Sequence, residues 1–427
     1  MEIRDALHGS IALDPTEVSV VESPYFQRLR RIKQLGFAET AFPSATHTRF
    51  VHSLGAMHVA TQAFDNLFPD EDERYKLLRF RKLVRLAALL HDVGHGPLSH
   101  TTESAMPQVA KLAIPLPHYK TAKRQATHED YTLKIVLDSE LTPRLDRAGK
   151  KSGFSSLHVA ALIEPEIEVK DDFFKERLGG EIVDFRPLLE QLISSELDCD
   201  RMDYLRRDSH YLGVSYGQYD YDWIIANLCP HVTGGKVHLA LKHRAVTAFE
   251  DFLISRFHMF LMIYFHHKSV IYDRMLHEYC RSSDSTYEIP SDLTGYLNCV
   301  DSELMNHLGT SKNKWAKRIT ERNPYVVLIE LPSGLTDSSP DHDLFSSVEA
   351  KLKKQDIHYL KETSTSELSK YIDGGKKPLY VRYDNYYTET KFIPLTQYSD
   401  LFDRYKKRRS VSRIYIDEAE GKRFKNS

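Results

Sequence analysis

Cysteine is scarce in this 427-residue chain: Cys199, Cys229, Cys280 and Cys299, none spaced as CxxC. Four thiols in such a length make no disulfide scaffold and point to a reducing compartment. No apolar run approaches the roughly 18 residues that a membrane-spanning helix needs. The opening MEIRDALHGS lacks the apolar core of a signal peptide. A cytoplasmic protein with no membrane partner is expected. Charge imbalance is lacking too: 58 Lys+Arg against 60 Asp+Glu leave a formal net charge of −2. Global attraction to nucleic acid or to an acidic membrane is therefore not expected, which leaves only local basic pockets to hold anions. There is no internal repeat and no long low-complexity segment.

What is present is ordinary in bulk, with 41% hydrophobic and 28% charged residues. The length allows two or three domains and a sizeable core. Residues 1–20 read as a short hairpin, IRDALHG then SIALD, with His8-Gly9-Ser10 at the turn. Pro24 opens a helical stretch, PYFQRLRRIKQLG, with Phe26, Leu29, Ile32 and Lys33 at helical spacing and Gly36 as its C-cap. Helical patterns recur over residues 52–68, 74–93, 129–138, 187–208 and 244–280. Residues 1–280 are thus mostly α, and the polar residues 281–323 read as a connecting segment. The pattern then changes. Tyr325–Leu331 is a buried-strand run, Leu344–Gln355 an amphipathic helix, and Ile357–Lys361 and Pro378–Tyr383 further strands. This β-α-β order predicts a small α+β domain over residues 324–427, extended by the strand Arg413–Asp417. The expected fold class is mainly α with a smaller C-terminal α+β domain.

The strongest local feature is HDVGHGPLSH, residues 91–100, which follows the apolar run Leu86-Ala87-Ala88-Leu89-Leu90. That run buries the preceding helix, and burying charge at its end without a partner is costly. Metal binding resolves the cost, since imidazole and carboxylate suit Zn, Mn, Fe, Co or Ni. Gly94, Gly96 and Pro97 end the helix and let His95 and His100 fold back towards the same point. Two other segments offer more ligands. In THTRFVHSLG, residues 46–55, His52 begins an amphipathic helix. In LDCDRMDYLRRD, residues 197–208, Asp200, Asp203, Tyr204, Arg207 and Asp208 fall within about 140° on a helical wheel. Each signal alone is more often structural: a His-Asp dipeptide, a solvated acidic face, a histidine cap. Their joint order, H…HD…D with histidines and glycines just after HD, points to a metal site.

At these residues the chain resembles the HD-domain phosphohydrolases. It is most similar to the branch containing bacterial deoxynucleoside triphosphate triphosphohydrolases and their vertebrate relative with a sterile alpha motif. The blocks that carry the resemblance run from about residue 3 to residue 280: RDALHGSIALD, SPYFQRLRRIKQLG, FPSATHTRFVHSLG, LLHDVGHGPLSH, THED, LDCDRMDYLRRDSHYLG and MIYFHHK. The resemblance implies an all-α HD-domain core. It implies a divalent metal (Mn, Fe, Zn, Mg, Co or Ni) on His52, His91, Asp92 and Asp200. By position, Arg49 would contact the α-phosphate, and Arg201 stands where the family usually has lysine on the phosphate chain. Gln34, Leu35, Tyr204 and Asp208 would contact sugar or base. His95, His100, Glu103 and His128 would form the catalytic group, with Glu103 where the family more often has aspartate. Near residues 256–266 the family pattern does not align cleanly, which leaves Arg256, Tyr264 and His266 as candidates. Gln27 and Arg30 match positions that read a guanine activator in regulated relatives, with Glu22 in place of aspartate. The implied partners are a nucleotide substrate, a nucleotide activator, and further copies of the chain in a dimer or tetramer.

The activity implied is hydrolysis of a dNTP to deoxynucleoside and triphosphate. A divalent metal makes water a nucleophile at neutral pH. Arg49 and Arg201 would neutralise phosphate charge, because guanidinium donors match phosphate oxygens in pairs. His128, oriented by Glu103, would protonate the leaving 5′-oxygen. Two other functions fit the same residues. A phosphodiester or monophosphate of another nucleotide could be the substrate. Triphosphate hydrolysis should need three or more cations in the pocket, and Arg49, Arg201 and Lys268 are the ones proposed. Alternatively the core would act as a sensor of a nucleotide or single-stranded nucleic acid, with the basic run RYKKRR, residues 404–409, as a contact. Such a run is more often a solvated face.

Overall fold

The last two turns of the helix leading into His91 are covered on every side, and the rest of the molecule is arranged around them. In the computed structural model its residues Leu83 to Leu90 are all buried. Each Leu, Val or Phe covered in this way contributes about 1.5–3 kcal/mol. The structure describes residues 1–332, 340–366, 368, 377–385, 387–404 and 409–425. Most of the basic run at 404–409 lies outside them.

In chain order, β1 (Glu2–Asp5) and β2 (Gly9–Ala12) form an N-terminal hairpin. Eight helices follow: α1 (Pro15–Val21), α2 (Pro24–Arg28), α3 (Arg49–Leu67), α4 (Glu71–Lys76), α5 (Leu78–Leu90), α6 (His128–Leu137), α7 (Thr142–Gly149) and α8 (Ser156–Ile163). The hairpin β3 (Lys175–Leu178) and β4 (Glu181–Asp184) precedes α9 (Arg186–Ile193), α10 (Cys199–Leu212) and α11 (Tyr221–Ala226). Next come β5 (Leu228–Thr233), β6 (Lys236–Lys242), α12 (Val246–Met259), a π-helical turn (Phe260–Tyr264) and α13 (His267–Arg281). Then α14 (Leu293–Tyr296), α15 (Asp301–Thr310) and α16 (Lys314–Thr320) lead to β7 (Val326–Leu331) and α17 (Pro340–Lys354). The last strands are β8 (Tyr359–Ser366), β9 (Tyr380–Tyr383), β10 (Lys391–Pro394) and β11 (Arg409–Ile416). The fold is mainly α with a smaller α+β part.

Several expected elements are shorter than their periodicity predicts, and local chemistry explains the breaks. The hairpin ends at Ala12, because Asp14 and Glu17 form a capping box that starts α1, with Pro15 in its first turn. The stretch opened by Pro24 is helical only to Arg28, continues as a 3-10 turn, and becomes extended at Ile32. Gly36 is therefore not its C-cap. It has φ +51° and opens a separate 3-10 turn against Leu98. The expected helix 187–208 is two helices, because Asp198 caps Arg201 N and starts α10 anew. The expected helix 244–280 is interrupted by the π turn, after which the His266 side chain caps α13.

The region expected to connect, 281–323, is folded into the core. Tyr296, Leu304, Leu308 and Trp315 from α14 to α16 are buried in the main apolar cluster. The β-α-β unit that follows forms an antiparallel sheet ordered β7-β11-β8. Phe345 and Leu352 of α17 pack there on Ile414 and Ile416. The strand expected at Pro378–Tyr383 does not join it. As β9 it pairs in parallel with β6, Ala240 opposite Tyr380, and carries β10 with it. Val381 is fully buried in the main core, so burial decides which sheet takes this strand.

Gly55 lies where α3 crosses α10. A Cβ there would sit 2.0 Å from Asp203 Oδ1 and 2.3 Å from Arg207 Nη2. Both side chains are fully buried and paired with each other, so neither has room to move. Gly55→Ala should lower the unfolding free energy by about 2–4 kcal/mol. That outweighs the roughly 1 kcal/mol gained from helix propensity. Urea unfolding checks it, and a variant as stable as the parent would refute the tight crossing.

Candidate metal centre and its cavity

His52 lies one turn into α3, and His91 follows the last residue of α5. Each has one ring nitrogen fixed by the protein. His91 Nδ1–H donates to Ala88 O at 2.7 Å, and His52 Nδ1–H donates to Asp203 Oδ2 at 2.8 Å. Both lone pairs are thereby left on Nε2. Those two Nε2 atoms are buried and make no hydrogen bond. His52 Nε2 is 3.0 Å from Asp200 Oδ1 and 3.5 Å from Asp92 Oδ2. His91 Nε2 is 3.4 Å from Asp92 Oδ1 and 3.6 Å from Asp200 Oδ1. The four residues are thus brought to one point. Two imidazole lone pairs with two carboxylates are a donor set that fits a divalent transition metal. A second ring nitrogen tied to a carbonyl or carboxylate is the usual way a protein orients such a ligand.

The electrostatics ask for a cation at that point. Burial alone would lower the His52 pKa, but Asp200 and Asp203 outweigh it and lift it to about 10, so a proton takes the Nε2 position unless a metal cation displaces it. Burial opposes ionisation of Asp200 as well, yet His52 and His91 hold its carboxyl well below the usual range. For Asp92, Arg49 is the main offset to burial, with Nη1 donating at 2.5 Å to Oδ2.

Asp203 was legible only as part of a polar helix face, and its role comes from partners far along the chain. It is fully buried and accepts from Arg207 Nε at 2.8 Å. His8 Nε2 lies 2.6 Å from its other oxygen. Arg207 Nη1 reaches Asp5 of the hairpin at 2.9 Å. The His58 ring lies tilted, 5.0 Å from that of His8, and burial drives its pKa down to about 4. The hairpin is thus tied to the metal-facing histidine through Asp203. A glycine three residues after His52, with an aspartate three residues after Asp200, was the available signal.

A second group adjoins the first. His128, at the start of α6, has Nδ1 2.5 Å from Glu103 Oε1, and His100 Nδ1 is 3.2 Å from the same oxygen. His95 stacks on His128 at 3.8 Å and lies 3.3 Å from Asp92 Oδ1. Burial opposes ionisation of Glu103, but His100 and His128 hold its carboxyl well below the usual range. Burial, Arg49 and His128 all depress His95. His100 is exposed, whereas His95 and His128 are covered.

Both groups open on a cavity of about 540 Å³. Gln34, Leu35, Arg49, Arg201, Tyr204, Asp208 and Tyr264 line it. Arg49 Nε donates to Ser99 Oγ at 2.9 Å. Arg201 pairs with Glu196 at 3.2 Å and Asp198 at 3.6 Å. Asp208 is held by His47 at 2.8 Å and by the Tyr264 hydroxyl at 2.7 Å. Asp273 also lines the cavity, and burial raises its carboxyl to about 7. Neither His47 nor Asp273 stood out in the sequence. Lys268 is not brought in: it is exposed near the start of α13 and does not line the cavity. Arg256 donates to Leu368 O and pairs with Glu196, and His266 caps α13, so neither reaches the cavity wall. Glu22, Gln27 and Arg30 lie outside it. Gln27 Nε2 donates to Val21 O, Arg30 donates to Gln27 and covers the Phe50 ring, and Glu22 is exposed.

Comparison with known proteins places this geometry. The HD domain model matches residues 49–208, and the HD associated region model matches residues 220–332. The chain belongs to the HD-domain family. An uncharacterized protein of Methanocaldococcus jannaschii is 31% identical over 77% of this chain and 59% of its own length. The human deoxynucleoside triphosphate triphosphohydrolase SAMHD1 is 28% identical over 87% of this chain and 60% of its own length. The chain spans little more than half the length of such curated relatives. A crystal structure of a hypothetical protein from Aquifex aeolicus superposes with a TM-score of 0.74 at 28% identity, covering 100% of this chain and 99% of that one. All four residues at the metal-facing point lie within the HD domain, whereas α14 and α15 belong to the HD associated region. No helix among the described residues is long and apolar enough to cross a membrane.

If Asp203 orients His52 within this HD domain, Asp203→Asn should weaken divalent metal binding about 10- to 100-fold. Metal content after equilibrium dialysis measures it, with circular dichroism to confirm that the helices persist. Unchanged affinity in a folded variant would refute the orienting role.

Proposed function

We propose that this chain is a metal-dependent phosphohydrolase that splits a deoxynucleoside triphosphate into deoxynucleoside and triphosphate. The observation that carries the reading is the pair of buried Nε2 atoms of His52 and His91. They make no hydrogen bond and lie beside Asp92 and Asp200, and His91 shares a cavity with Arg49. His52, His91, Asp92 and Asp200 would hold a divalent cation, which supplies Lewis acidity and a water nucleophile at neutral pH. The triphosphate substrate is suggested by the human relative, a deoxynucleoside triphosphate triphosphohydrolase.

The chain's own residues do the rest. Arg49 has Nη1 fixed on Asp92 and Nε on Ser99, which sets the plane in which its remaining donors meet an α-phosphate oxygen. Arg201 neutralises charge further along the phosphates. Glu103 holds His128 through Nδ1, so the opposite nitrogen is the one that hands a proton to the leaving 5′-oxygen. His95 keeps the imidazole of His128 in place by stacking. Gln34, Leu35, Tyr204 and Asp208 wall the sugar and base. Assembly into a dimer or tetramer is part of the same proposal.

One observation favours a second reading. Among the described residues the cavity wall has two cationic side chains, Arg49 and Arg201, because Lys268 lies elsewhere. Two guanidiniums match a nucleotide with fewer phosphate charges, such as a monophosphate or a cyclic diester.

The test is a panel of dNTPs, NTPs, nucleoside monophosphates and cyclic nucleotides, assayed with the metal-reconstituted protein. Triphosphate released from dNTPs supports the first reading, and phosphate or ring opening supports the second. Arg49→Ala should lower kcat/KM about 100- to 1,000-fold. Asp200→Ala should lose metal and activity while staying folded. Full activity in Asp200→Ala would overturn the site.

A further inference from the structure

Leu98 and Ser99 have φ of 54° and 60°. They are the one pair of consecutive non-glycine residues with positive φ among those described. Such strain persists only where the surroundings over-determine it, and it clusters at functional sites. This turn connects His95 to His100, and its Ser99 is buried with a full set of contacts. Ser99 Oγ donates to Lys33 O at 2.7 Å and accepts from Arg49 Nε at 2.9 Å. The turn therefore sets where the Arg49 guanidinium sits.

What holds the turn comes from outside the HD domain. Asp301, buried at the start of α15, accepts Leu98 N–H on Oδ1 at 2.7 Å and Lys33 N–H on Oδ2 at 2.9 Å. One carboxylate thus bridges the two strands of backbone between which Ser99 is hydrogen-bonded. Its neighbours grip the same loop. Tyr296 donates its hydroxyl to Gly94 O at 2.6 Å. Arg28 ties Cys299 O to Val93 O and His95 O, with its guanidinium 4.3 Å over the Tyr296 ring.

We infer that Asp301 is a positioning residue of the active site: by pinning the Leu98–Ser99 turn to Lys33 it fixes Arg49 for contact with a phosphate. The inference rests on the proposed hydrolase reading, in which Arg49 meets the substrate. Asp301 touches none of the metal-facing residues and does not itself line the cavity, so its effect runs through the Leu98–Ser99 turn.

The experiment uses the full chain loaded with Mn²⁺. Asp301→Asn keeps size and one acceptor but turns the other oxygen into a donor that faces an N–H. Ser99→Ala cuts the link to Arg49 without touching Asp301, and Ser302→Ala is the control on the exposed next residue. Bound metal is counted by mass spectrometry, affinity for inorganic tripolyphosphate by calorimetry, and kcat and KM on the best nucleotide. Asp301→Asn and Ser99→Ala should keep their metal yet lose about 10- to 100-fold in tripolyphosphate affinity and in kcat/KM. In an Arg49→Ala background Asp301→Asn should add less than about twofold, because the two act as one unit. Parental tripolyphosphate affinity in folded Asp301→Asn overturns the inference alone, and so does a full additional loss in the Arg49→Ala background. A parent protein that binds metal but no tripolyphosphate and cleaves no nucleotide overturns the hydrolase reading together with it.

Discussion

The structure turns on carboxylates buried inside an apolar helical core. Each needs positive charge within reach, because an isolated ion costs several kcal/mol to bury even after relaxation. Asp203 is answered by Arg207, His8 and His52. Asp92 is answered by Arg49. Asp200 faces two imidazoles whose Nδ1 protons are already committed to Ala88 and Asp203. That asymmetry assigns the cation to one side of the cluster, where Nε2 lone pairs and carboxylate oxygens converge.

The same constraint explains the architecture around it. Two unit charges 4 Å apart gain about 4 kcal/mol at an effective dielectric of 20. Burial takes back a similar amount, so the ion pairs bring geometry more than net stability. Apolar burial along α5 supplies the stability, and the ion pairs fix how α3, α10 and the hairpin sit relative to one another. Gly55 is needed because the Asp203–Arg207 pair occupies the space a side chain would fill. Gly94 has the same role at the next layer, where a Cβ would lie 2.1 Å from Thr132 N and 2.3 Å from His128 O. Close approach at that glycine brings His128 beside His95.

How much of this could be read from sequence depended on the range of the contact. His52, His91, Asp92 and Asp200 stood out because each lies at a helix end or beside a run whose apolarity makes a polar residue conspicuous. The small α+β unit was legible for the same reason, since Tyr325–Leu331 and the helix after it carry their periodicity locally. Contacts set across the chain were not legible. His8 meets Asp203 across 195 residues, and Leu98 meets Asp301 across 203. Nothing near Asp301 marks it, because its partners are backbone N–H groups that any sequence would offer. Lys268 shows the converse: one residue from the polar start of α13 it reads as a cavity cation, yet its neighbour Ser269 takes the cavity face and Lys268 the outside. Residues 281–323 looked like a connection because polar residues outnumber apolar ones. Its apolar residues, Tyr296, Leu304, Leu308 and Trp315 among them, are the ones that dock.

The loop 91–100 is therefore best understood as a shared part. Its first residues face the candidate metal point, His95 stacks on His128 of α6, and its backbone is gripped by α14, by Asp301 and by Arg28. Thr101, just past it, donates to Asp273 of α13 at 2.8 Å. A helix carrying its own i→i−4 bonds would need none of these supports. This loop gives up that regularity to turn His95 and Ser99 inward, and its left-handed pair is held from outside. The buttresses from the HD associated region supply what the loop's own backbone cannot. The two matched regions consequently form one structural unit, in which the HD domain carries the candidate site and the associated region holds the backbone of its loop.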